Sequence, residues 1–177
     1  MTSFPERMIG AAKLNIAIYE EVEADGTATW QAMGVVLLSV LAAGVGSAAL
    51  GAEIIASAVI ALVWWVIWAF LTYLVGTRLL PEPQTHANLG QMMRTMGFAQ
   101  SPGVLRILGG LPVIGLPLLA IVSLWNLVTM VIAVRQALDY TSTWRAVAVV
   151  VGALVAAVAA ISVLGLLFEV LAALVGG

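Results

Sequence analysis

Four long apolar runs, separated by short polar breaks, organise this chain. Trp30–Leu50 comes first, about 20 residues without a charge; as α-helix it reaches about 30 Å, the thickness of a bilayer's hydrocarbon layer. The break Gly51-Ala52-Glu53 is so short that it predicts an antiparallel hairpin with the second run, Ile54–Val75. Val113–Val134, interrupted early by Gly115 and Pro117, is the third, and the fourth lies within Ala146–Leu174, longer than a bilayer needs. Small residues give two of these runs a smooth side: Gly44, Gly46, Ala48 and Ala49 in the first, and Gly152, Ala156 and Ala160 in the last. In lipid, such residues let helix backbones approach closely. Trp64 and Trp65 fall near the middle of the second run, which points to packing or lining rather than to interfacial anchoring.

Two segments follow a different pattern. A helix over Pro5–Val22 gathers Met8, Ile9, Ala12, Ile16 and Tyr19, together with the preceding Phe4, on one side, with Arg7, Lys13, Glu20 and Glu21 elsewhere. This predicts one interfacial amphipathic helix, a frayed terminus being the alternative. The turn Asp25-Gly26-Thr27 ends it, with Thr27 expected to cap the next helix. The second such segment is Gly76–Pro117, which holds Arg78, Glu82, His86, Arg94 and Arg106 between the two pairs of apolar runs. Leu89, Met92, Met93 and Met96 make an apolar stripe there, while Gln91, Arg94 and Thr95 point elsewhere. Pro102 breaks this helix, and a short one over Val104–Leu108 stops at Gly109-Gly110-Leu111-Pro112. The segment is long enough to cross or re-enter a bilayer and too polar to face lipid.

Two topologies compete, with four crossings or with five. Lys and Arg in short loops favour the cytoplasmic side. Five crossings put Arg7, Lys13, Arg78, Arg135 and Arg145 on that side and leave Glu53, Glu169 and Arg106 near the other. Four would translocate the Arg135–Arg145 loop, so five is preferred. The expected fold is therefore all-α: a five-pass transmembrane helical bundle with a broken third helix and an N-terminal interfacial amphipathic helix. Residues 1–26 form that helix and its turn, and 27–177 the bundle, with spans near 30–50, 54–76, 87–108, 113–135 and 146–174.

Composition agrees with a membrane setting. The chain is 63% hydrophobic and 9% charged, against roughly a quarter charged in soluble domains. Its net charge of -2 offers nucleic acid no attraction, and without cysteine there is neither disulfide nor thiolate chemistry. Met1–Asp25 lacks the continuous apolar core of a cleaved signal peptide. The single histidine, His86, matches no metal-ligand spacing, the glycine pairs lack the Lys and Ser/Thr of a phosphate loop, and Ser101 and Ser142 have no placed base. No catalytic residue, metal or cofactor is expected.

Candidate functional residues are thus polar groups at membrane depth: Arg94, Arg106, Asn126, Gln91, Glu53 and Trp125. An Arg at bilayer centre costs about 3 kcal/mol or more, so Arg94 must snorkel or find a carboxylate or helix-end carbonyls. Arg78, Glu82, Arg135, Asp139 and Arg145 form a juxtamembrane set. Glu20, Glu21, Glu23 and Asp25 read as a solvated face, free to pair with Arg78 or Arg135.

The block Arg94-Thr95-Met96-Gly97-Phe98-Ala99-Gln100-Ser101-Pro102-Gly103, followed by Trp125 and by Val131–Ala137, resembles the bacterial branch of the Yip domain family. The resemblance covers roughly Gly76–Ala146. It implies a five-pass protein of the inner membrane with a cytoplasmic N-terminus. Eukaryotic members are named for interaction with Rab-type GTPases and act in vesicle formation and membrane shaping. The residues present include no counterpart of their long polar N-terminal region, so GTPase binding is not carried over. The leading expectation is a non-enzymatic scaffold or membrane-organising protein, self-associating, with membrane lipid and a second copy or another membrane protein as partners. A small transporter or channel using the broken helix around Arg94 and Pro102 is the alternative, and a lipid-modifying enzyme the third reading.

Overall fold

The computed structural model describes residues 2–48 and 51–175. Ala49 and Leu50, part of the expected first span, lie outside the described residues. Seven α-helices are present among those described: α1 Phe4–Ala12, α2 Ile16–Ala24, α3 Ala28–Gly46, α4 Ala52–Leu74, α5 Leu89–Phe98, α6 Gly115–Ala137 and α7 Thr143–Val175. A π-helical turn, Val75–Leu79, continues α4, and a 3-10 helix, Ser101–Gly110, follows α5.

Among the described residues four helical stretches are long and apolar enough to cross a membrane: Ala28–Gly46, Glu53–Leu79, Gly115–Ala137 and Thr143–Ala172. The five-pass bundle with a broken third helix is corrected accordingly. Residues 89–110 divide into ten residues of α-helix and ten of 3-10 helix, neither of them a span. The span that loses regular geometry is the second, in its closing π turn. There Gly76 lies against Leu138, and the Tyr140 hydroxyl reaches the carbonyls of Gly76 (2.9 Å) and Leu80 (2.7 Å). A wide turn leaves carbonyls exposed, and the phenol supplies a donor to them.

The segment Leu89–Gly110 lies inside the bundle, chiefly against α3 and α6. Its first turn meets the chain just before α3, where Gln91 Nε2 donates to Glu23 Oε1 at 3.1 Å. Its last residue meets the other end of α3, where a Cβ on Gly110 would stand 2.8 Å from the Gly46 carbonyl. The bundle therefore has two unlike ends. One carries Arg78, Arg94, Arg135, Arg145 and the carboxylates around them, and is called the basic end below. The other is made of Gly46, Gly51, Gly109 and Gly110, the glycine end.

An Asn88–Gln91 capping box starts α5. Where α5 gives way to the 3-10 helix, carbonyls freed by the change of geometry find donors: Ser101 Oγ to Phe98 (2.6 Å) and Thr129 Oγ1 to Ala99 (2.7 Å). Around this junction Tyr19, Met92, Met96, Phe98, Val134, Leu138 and Val149 are fully sealed from solvent and lipid alike.

The single N-terminal helix is also corrected. Leu14 takes a left-handed φ of 62°, and the chain folds back into the hairpin α1–α2. Asn15 caps α2 by accepting from Ala17 N at 3.1 Å. The hairpin packs on α5 and α6, where Trp125 Nε1 donates to the Ala12 carbonyl at 2.7 Å, and it leaves Ile9 and Ile16 exposed. Thr27 does not cap α3 with its side chain. Its N–H and O–H both donate to Asp25 Oδ1, at 2.9 and 2.6 Å.

α7 has 33 residues, about 50 Å, and therefore outruns a hydrocarbon layer of about 30 Å. Ala146, Val149, Ala153 and Ala157 bury one side of its first half, and from Val158 onward its described large residues are all exposed. Gly152, part of the expected ridge, sits against Val75 of the same chain.

Close approach of α5 to α3 depends on Gly97, where a Cβ would come 2.7 Å from Ala32 Cβ and 3.1 Å from its carbonyl. Backbone cannot give way there. Gly97→Val is expected to cost about 1–3 kcal/mol by overpacking, read as a lowered midpoint of thermal unfolding in mild detergent, whereas Gly165→Ala, at an open position, leaves it unchanged.

Candidate functional site

A cavity of about 490 Å³ lies within the bundle, between α3, α4, the 3-10 helix, α6 and α7. Its polar lining is Ser39, Gln100, Arg106, Ser123 and Asn126, and its aromatic wall contains Trp64 and Trp68. Arg106 Nη1 donates to Ser39 Oγ at 3.1 Å. Gly103 makes this meeting feasible, since a side chain there would collide with the Ser39 hydroxyl. Among the described residues Arg106 has no ion-pair partner. Asn126 is 8% exposed, and neither its Oδ1 nor its Nδ2 has a hydrogen-bond partner. Buried polar atoms are nearly always satisfied, and an orphaned one costs about 1–3 kcal/mol.

The tryptophans divide by role. Trp65 is buried and donates from Nε1 to the Met93 carbonyl at 3.1 Å, so it joins α4 to α5. Trp64 stacks on Trp68 with centroids 6.2 Å apart and an interplanar angle of 26°, leaving a flat aromatic surface on the cavity. Leu127 and Leu154, each 52% exposed, border the opening.

Of the polar and embedded residues singled out from the sequence, Arg106 and Asn126 line this cavity, as do Trp64 and Trp65; Arg94, Gln91, Glu53 and Trp125 do not. Arg94 directs its guanidinium to the carbonyls of Val22 (3.0 Å) and Glu23, the exposed C-terminal carbonyls of α2. A cation there complements the helix dipole. Gln91 belongs to the cap of α5 and the bond to Glu23, and Trp125 holds the α1–α2 hairpin. Glu53 is exposed in the first turn of α4, at the glycine end.

The juxtamembrane set forms a clasp at the basic end. Glu82, 9% exposed, accepts from Thr141 N (3.0 Å), Thr141 Oγ1 (2.9 Å) and Gln84, and pairs with Arg145 at 3.4 Å. These bonds hold its carboxyl below the usual range, the Thr141 backbone N–H contributing most. Arg145 also reaches the Pro81 carbonyl, Gln84 donates to the Asp139 carbonyl, and Arg135 donates to Tyr140 O (3.2 Å) and Thr143 Oγ1 (3.2 Å). Arg78 and His86 are exposed.

Sequence reasoning missed an ion cluster. Arg7, 2% exposed, bridges Glu21 (2.8 Å) and Asp25 (2.9 Å) and donates to Gln31 Oε1 (2.9 Å), so these acids are neither a solvated face nor partners of Arg78 and Arg135. Helical periodicity places Arg7 away from the apolar stripe; only the fold-back of α2 covers it. Ser39, the one hydroxyl in the middle of an otherwise apolar α3, was the available signal for the partner of Arg106.

Glu23 is pushed up to about 7, first by burial and then by Asp139, against the opposing pull of Arg94. Folded Glu23 binds its proton more tightly than unfolded Glu23, so stability falls as pH rises from about 4.5 to about 7 and is level above. Glu21, brought to about 2 mainly by Arg7, and Asp25, lowered by Thr27 and Arg7, act oppositely. Their contribution is present above the ordinary carboxylate range and is lost as pH drops toward about 2. Thermal unfolding in detergent between about pH 5 and 7 is expected to show a declining midpoint in the native protein and a flat one in Glu23→Gln. In the same assay Arg7→Ala is expected to lower the midpoint, because it removes the partner of Glu21 and Asp25 and the donor to Gln31.

The sequence model of the Yip1 domain family matches residues 17–174, nearly the whole chain. No curated protein and no solved structure matches it.

Proposed function

The chain belongs to the Yip1 domain family of non-enzymatic membrane proteins, and from that premise we propose that it is a membrane-embedded scaffold that organises the lipid around it. One observation carries this reading: the cavity is lined mostly by apolar side chains and bordered by exposed Leu127 and Leu154, so it opens toward lipid rather than toward water. A channel needs access from both faces. Here Arg94 spends its donors on the α2 carbonyls and Pro102 is buried, so neither residue lines a path.

The basic end faces the cytoplasm of a bacterial inner membrane. Arg7, Arg78, Arg94, Arg135 and Arg145 gather there, and Arg106 is the one arginine placed elsewhere, so the positive-inside rule favours this orientation. The exposed outer half of α7 is the surface available for a second copy.

Three measurements test this reading. Liposomes containing the protein are expected to hold an entrapped solute as well as empty ones, and faster release sinks the scaffold reading. Single cysteines at the exposed positions 20, 86 and 144 are expected to label from one face, a different division overturning the orientation. In mild detergent the protein is expected to run above monomer size, with Ile161→Trp and Leu164→Trp reducing it; a monomer at all concentrations removes self-association.

A further inference from the structure

Resting on the reading of a lipid-facing cavity, we propose that this cavity binds one anionic amphiphile, with its acidic head at Arg106, Ser39 and Asn126 and its apolar body against Trp64 and Trp68.

Charge comes first. A guanidinium at membrane depth is costly unless it is paired. Arg106 has five N–H donors, and among the described residues its one protein hydrogen bond is to the Ser39 hydroxyl. Arg has no acceptor to offer, which disfavours a cationic or donor-only guest, and a carboxylate or phosphate fits its forked geometry.

Asn126 gives the second, independent indication. Its amide is more than nine-tenths buried, lines the same cavity from the facing helix, and has both polar atoms unpartnered. Its Nδ2 adds a donor for an acidic head, and its Oδ1 accepts from a protonated oxygen or an adjoining hydroxyl.

Size and shape set the remainder. About 490 Å³ lies in the range of small-molecule sites, roughly 300–1,000 Å³, and admits a head with one chain or part of one. The Trp64–Trp68 pair presents a flat apolar surface, and exposed Leu127 and Leu154 at the rim give entry from the lipid phase without a water path. The acidic head comes from a free fatty acid or from an anionic phospholipid, both of which pair with Arg106 in the same way.

The test is tryptophan fluorescence of the full-length protein in non-ionic detergent, titrated separately with a brominated fatty acid, a brominated phosphatidic acid and a brominated phosphatidylcholine. Saturable quenching near one equivalent by either acidic probe is expected, the stronger of the two naming the source, with phosphatidylcholine quenching weakly and without saturation. Arg106→Gln is expected to weaken binding at least about tenfold and Asn126→Leu about threefold, while Trp64→Phe lowers the quenching amplitude more than the affinity. Equal quenching by phosphatidylcholine, no saturation by either acidic probe, or unchanged affinity in Arg106→Gln overturns the proposal. Should Arg106→Gln not fold, Asn126→Leu and Trp64→Phe decide, and unchanged affinity and amplitude in both overturn it. Because the titration needs no bilayer, solute flux through liposomes beside retained binding sinks the scaffold reading alone, and absent binding beside tight liposomes sinks this site alone.

Discussion

Backbone that leaves the regular α-helical pattern must find its hydrogen-bond partners inside the protein wherever lipid surrounds it. The segment Leu89–Gly110 is where this chain meets that constraint. A 3-10 helix of ten residues is unusually long, and its poorer geometry needs support from its surroundings. Here α3 and α6 flank it, the hydroxyls of Ser101 and Thr129 take the carbonyls at its junction with α5, and Gly46 and Gly103 allow the approach. The spans enclose the irregular segment, and the irregular segment fills the space between the spans.

Polar groups are satisfied unevenly along the bundle. At the basic end the buried ones are spoken for: Arg94 on the carbonyls of α2, Glu82 on Thr141 and Arg145, Arg7 between Glu21 and Asp25. Each contact ties one loop or short helix to another, and the core beneath is sealed. Further toward the glycine end, Arg106 has a single hydroxyl and Asn126 has nothing. Structural polar groups acquire their partners within the fold. Arg106 and Asn126, beside a cavity with an aromatic wall, are the groups on which the proposed guest depends.

How much was legible follows from which forces act locally. Apolar runs and the excess length of α7 are consequences of hydropathy, and they read directly from residue order. The irregular segment was legible as a break, from Pro102 and the glycine pairs, and its polarity showed that it avoids lipid. That it is not a fifth span was not legible, because its length and hydropathy are shared between an α-helix and a 3-10 helix that fall short separately. Arg94 stood out as costly at depth, but that its partners are the α2 carbonyls depends on the hairpin α1–α2, which a single amphipathic helix does not foreshadow.

Residue order by itself determined an all-helical membrane protein, the family block around Arg94–Gly103, the break near Pro102 and the identity of Arg106 and Asn126 as out-of-place polar groups. Those properties reside in single residues or in neighbours along the chain. Tertiary structure alone decided which polar groups are paired and which are not: Arg7 with Glu21 and Asp25, Tyr140 with the π turn, Arg106 with Ser39 across 67 residues, and Asn126 with no one. The reason is that pairing in a low-dielectric interior depends on distance in space, set by how closely small residues such as Gly46, Gly97 and Gly103 let the helices come together.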